Sequence, residues 1–88
     1  MEKLVEPARA ERLARAILSD LAAYNIESVR AGIENDDLFE RLAEELDRAR
    51  SFFEERVDSE TARKTNAFDR AVVDILVFGS RRIASRIW

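Results

Sequence analysis

Apolar residues recur along this chain at intervals of three and four rather than two, and the pattern runs almost without interruption from the first ten residues to the last ten. One Pro and two Gly in the whole sequence leave little to break a helix. The expected fold is all-α: a small bundle of four main helices, one of them short, followed by a short helical tail. Pro7 suits the first turn of the first helix, and Leu13, Ile17, Leu18, Leu21 and Tyr24 form its apolar stripe, with Arg9, Arg12 and Arg15 on other faces and an end near Asn25. Ile26, Val29, Arg30 and Ile33 mark a short second helix, weakened by Gly32 and closed by Asn35-Asp36-Asp37. That cluster also opens the third helix, where an Asn or Asp side chain can cap free N–H groups and acids complement the helix dipole.

The third helix, about 37–57, has the clearest periodicity: Leu38, Phe39, Leu42, Leu46, Ala49, Phe52 and Phe53, with Val57 at its end. It is expected to be the central element. Asp58-Ser59-Glu60 is a further capping signal, and the fourth helix is expected to reach Phe78 with Phe68, Val72, Ile75 and Leu76 toward the core and Asn66 as a point of division. Val73 and Val77 widen its apolar face, so it is either buried on two sides or offers a second face to another chain. Gly79 is a natural C-terminal stop, and residues 80–88 form a basic amphipathic segment within the single domain 1–88.

Composition narrows the function classes. An apolar share of 47% is that of a folding domain, and 88 residues support one core only. A core of that size barely offsets the entropy of ordering the chain, so oligomerisation or a bound partner is expected. The absence of Cys and His removes disulfides, thiolate nucleophiles, imidazole bases and most transition-metal sites. No apolar run approaches membrane-spanning length, and the start Met-Glu-Lys-Leu-Val-Glu-Pro lacks the basic and apolar regions of a signal peptide, so a cytoplasmic location is expected.

The net charge of −3 hides an asymmetry. Glu34, Asp36, Asp37, Glu40, Glu44, Glu45 and Asp47 face only Arg41 in residues 34–47, whereas residues 63–88 carry Arg63, Lys64, Arg70, Arg81, Arg82 and Arg86 against Asp69 and Asp74. Paired Glu residues on facing helices can hold di-metal centres, but such centres also use Glu-x-x-His pairs, and there is no His. Glu40, Glu44, Glu45, Glu54 and Glu55 are therefore read as a solvated face supporting Arg residues one turn away. Ser19, Asp20, Tyr24 and Asn25 form a polar group without a nucleophile–base pair; Tyr24 is expected to bury its ring, and Asn25 to mark a helix end. A helix-turn-helix reading around Gly32 fails on charge, because the recognition helix would carry Asp36, Asp37, Glu40, Glu44 and Glu45 against phosphates. No catalytic, cofactor or metal site is expected.

The most distinctive feature is the C-terminal segment, where Ile83, Ile87 and Trp88 share a helical face beside Arg81, Arg82 and Arg86. It can close the chain's own core, dock on another protein or a second copy, or meet an anionic membrane surface or nucleic acid. Arg and Trp are favoured interface anchors, so these six residues are the first candidate contact surface. Asp36, Asp37, Glu40 and Glu44 are the second, and the acids of one copy would complement the basic end of another.

Residues 10–25 (AERLARAILSDLAAYN), 29–35 (VRAGIEN) and 47–57 (DRARSFFEERV) resemble an uncharacterised helical module of bacterial, myxobacterial-type regulatory proteins, often found beside a zinc ribbon that this chain lacks. The likeness spans roughly residues 8–78. It implies no enzyme activity and no cofactor, and suits an interaction module in a cytoplasmic regulatory assembly. The expected function is a non-enzymatic protein–protein interaction or oligomerisation module, such as the small subunit of a signalling, polarity or motility complex. The alternative is a small binder of nucleic acid or an anionic surface through the basic C-terminal part.

Overall fold

The computed structural model describes residues 3–78, which form an all-α bundle. Helix α1 spans Pro7–Tyr24, α2 Ile26–Asn35, α3 Leu38–Arg41, α4 Ala43–Arg56, α5 Ser59–Thr65 and α6 Ala67–Ala71, and α6 continues as a π-helical segment, Val72–Phe78. Pro7 lies in the first turn of α1, where its missing N–H costs nothing. At the other end Asn25 stops the helix, its backbone N–H and its side-chain amide both donating to the Leu21 carbonyl.

α1 is the hub, touching α2, α4, α5, α6 and the π-helical segment. It buries Ala10, Ala14, Leu18 and Leu21, a spacing of about one turn that points one stripe inward. Opposite it lie Leu42, Phe53, Val57, Phe68, Ala71 and Leu76, with Val29 and Ala67 completing the buried set. Small side chains on α1 and α6 allow close approach, and the ion pairs along that seam show its direction. Arg15 meets Asp74 at 3.2 Å and Glu11 lies 3.9 Å from Arg70, so α1 and the α6–π unit run parallel.

Several expectations for the sequence need correction. The third helix is not continuous, because Leu42 adopts φ −100°, ψ 10° between α3 and α4. Backbone bonds from Leu42 N–H to Leu38 O and from Leu46 N–H to Leu42 O persist on either side, so the axis bends at one fully buried residue. No Pro or Gly marks the bend. Tyr24 does not bury its ring but stands 89% exposed at the corner after α1. Phe39 and Phe52, counted on the apolar stripe, are 50% and 42% exposed.

The division of the fourth helix does fall at Asn66, which takes the left-handed conformation (φ 51°) that Asn tolerates better than most residues. Asp58 caps α5 by accepting from Thr61 N–H at 3.3 Å. A contact with no counterpart in the helical pattern ties the start of the chain to this turn. Leu4 N–H donates to Arg56 O and Asp58 N–H to Leu4 O, both at 2.8 Å, and the Thr61 hydroxyl donates to Val5 O. This single parallel bridge between Leu4 and Val57 satisfies backbone groups that α4 and α5 leave open.

Candidate interaction surface

Gly32 and Leu38 determine the shape of the α2–α3 corner. A Cβ on Gly32 would sit 2.6 Å from Leu38 Cα, so the close approach of the two helices requires glycine there. Gly32 is thus a packing residue rather than only a weak point in a helix. α2 ends with Asp36 in the left-handed conformation (φ 56°), and the N–H groups of Asp36 and Asp37 both reach the Gly32 carbonyl. The Asp37 carboxylate does not cap α3; it takes the Arg41 guanidinium one turn on, at 2.6 Å.

This tight corner leaves a groove of about 350 Å³ lined by Gly32, Ile33, Leu38, Phe39 and Val77, with Asp36, Asp37 and Glu40 around it. Its floor is apolar and its rim acidic. Asp36 and Glu40 make no ion pair among the described residues, whereas Asp37 is engaged by Arg41. Of the four acids expected as a surface, the structure brings three together; Glu44 lies apart on α4 and pairs with Arg48 at 3.5 Å. The other candidate surface, Arg81, Arg82, Ile83, Arg86, Ile87 and Trp88, lies outside the described residues.

A second hollow, about 450 Å³, lies between α4, α5 and α6 over Phe53, Val57 and Phe68. Its charged groups are of both signs and partly satisfied within the fold: Arg50 is 2.6 Å from Asp69 and its guanidinium stacks 4.7 Å above the Phe68 ring. Such a rim presents little net field to a ligand. A third apolar spot, Phe52, is covered on one face by the Arg56 guanidinium at 3.5 Å.

Among the described residues no three acids come close enough to share a metal ion, and no buried side-chain N or O lacks a hydrogen-bond partner. Nor is any described helix long and apolar enough to cross a membrane. Phe39 and Val77 in the groove are 38 positions apart in sequence, so periodicity within either element could not have joined them. No protein-family model, curated protein or solved structure matches the chain.

Proposed function

We propose that this chain is a non-enzymatic protein–protein interaction or oligomerisation module, acting in the cytoplasm as the small subunit of a bacterial signalling, polarity or motility complex. The observation that carries this reading is the acid-rimmed apolar groove between α2, α3 and the end of the π-helical segment. An apolar floor with charge of one sign at its edge suits a short helix that is apolar on one face and basic beside it. Asp36, Asp37 and Glu40 would steer the partner and Phe39 would anchor it.

The alternative, a binder of nucleic acid or an anionic surface through the basic C-terminal part, has less support. Of the three described bases in that part, Lys64 pairs with Glu60 at 3.1 Å and Arg70 lies 3.9 Å from Glu11, so that only Arg63 makes no ion pair among the described residues, a small positive surface for releasing counterions from phosphates.

Affinity capture from lysate with the full chain and with Phe39→Ser, each checked by circular dichroism and light scattering, tests the proposal. A defined protein, or a second copy, should be held by the unaltered chain and lost from the variant. Strict monomers that retain nothing at low salt would overturn it.

A further inference from the structure

The strap before α1 and the groove at the α2–α3 corner lie toward opposite ends of the bundle. Residues 3–6 precede the first turn of α1, whereas Val77 in the groove follows Asp74, which meets Arg15 two turns into that helix. The rise from Pro7 to Arg15 alone is about 12 Å. Leu4 packs against the core, so the alternation of an extended chain turns Lys3 and Val5 outward on the same side. Val5 is 65% exposed, with its carbonyl held by the Thr61 hydroxyl at 2.8 Å.

Lys3 and Arg63 line one hollow and make no ion pair among the described residues. Among the described residues around that hollow Arg50 and Asp69 answer each other, and Glu54 alone opposes the two unpaired bases. Asp58 nearby caps α5 through Thr61 N–H. The excess of one positive charge is too little to draw a free ligand into the hollow, yet it accompanies an exposed apolar side chain, which is the combination that suits the groove. There Asp36 and Glu40, unpaired among the described residues, rim the apolar Ile33, Leu38 and Phe39.

Resting on the reading of this groove as a recognition site for a basic apolar element, we propose that its occupant is a second copy of this chain, docked through the strap end. Val5 of one copy lies against Leu38 and Phe39 of the next, and Lys3 and Arg63 meet the acidic rim. The contact joins two different surfaces. Two copies laid antiparallel make it twice and close as a dimer, whereas copies laid in line make it once each and grow.

Sedimentation and light scattering of the full chain test this. At low salt the mean mass should climb with concentration to that of a dimer or beyond, and fall toward the monomer as salt passes about 0.15 M, where the screening length is about 8 Å. Phe39→Ser, which breaks the groove, should be monomeric with unaltered far-ultraviolet dichroism. Val5→Ser with Lys3→Gln and Arg63→Gln, which breaks the strap end, should be monomeric as well. Mixed one to one, the two variants should form a dimer and nothing larger, because each carries the half that the other lacks. Glu54→Gln, which removes the opposing acid, should move assembly to severalfold lower concentration.

A monomer at every concentration overturns the proposal, as do variants that stay apart when mixed. Self-association that survives the strap-end changes overturns it too, since the copies then meet elsewhere. A monomeric unaltered chain that captures another protein through Phe39 defeats the second copy and leaves the groove reading standing. Self-association lost with the strap end but untouched by Phe39→Ser defeats both.

Discussion

Around Phe53 the chain covers its aromatic side chains with itself: Phe53 and Phe68 are both buried, their centroids 5.7 Å apart, and Arg50 lies over the Phe68 ring while pairing with Asp69. At the α2–α3 corner the same kind of side chain is left half in water, since Phe39 is 50% exposed beside Asp36 and Glu40, which make no ion pair among the described residues. Charges near the first region are paired across helices, Arg15 with Asp74 and Arg50 with Asp69, whereas at the corner the ion pair of Asp37 with Arg41 lies within a single turn. Cohesion and presentation are therefore assigned to different places. The α1–α4–α6 side holds the fold, and the corner is held in shape chiefly by backbone geometry at Gly32.

Substitutions should divide along the same line. Phe53→Ala, at the centre of the cohesive side, should lower unfolding free energy by about 3–5 kcal/mol through lost burial and the cavity left behind, read as a drop in the urea midpoint. A cost below that of an exposed site would abolish the contrast. Gly32→Ala should cost less, about 1–3 kcal/mol, because the added methyl must push Leu38 away. Its stronger signature should be loss of groove-dependent binding, since the wall itself moves. Phe39→Ser should be nearly silent in stability, within about 0.5 kcal/mol, yet abolish partner binding. Equal losses of stability for Phe39→Ser and Phe53→Ala would mean that the corner is core.

Much of this contrast was out of reach of the pattern of apolar positions. Pro7, Asn25, Asp58 and Asn66 signalled helix ends because each acts through its own backbone conformation or a bond to a near neighbour, which sequence carries directly. Periodicity placed Leu18, Leu42, Phe53 and Leu76 on inward faces, and all four are buried. It could not tell Phe53 from Phe52, or Leu38 from Phe39, because an apolar stripe is wider than the neighbour that covers it. Where the covering helix stops is decided elsewhere in the chain. The bend at Leu42 and the bridge from Leu4 to Val57 have the same origin, since neither depends on a local signal. The acidic rim was legible as charge on residues 36–40; its apolar floor needed Val77, which only the fold brings there.

The parallel seam between α1 and the α6–π unit bears on how the molecule comes into being. Arg15 and Asp74 are separated by 59 positions, so α1 is synthesised well before the α6–π unit that it packs along. Its contacts with α2, α4 and α5 can form first, but the side that α6 and the π-helical segment cover stays open until they are made. Closing that long loop comes late and adds an entropy cost that local helix contacts do not carry, which should make folding slower than the helical content alone suggests and should leave nascent chains short of α6 exposed to chaperones and proteases.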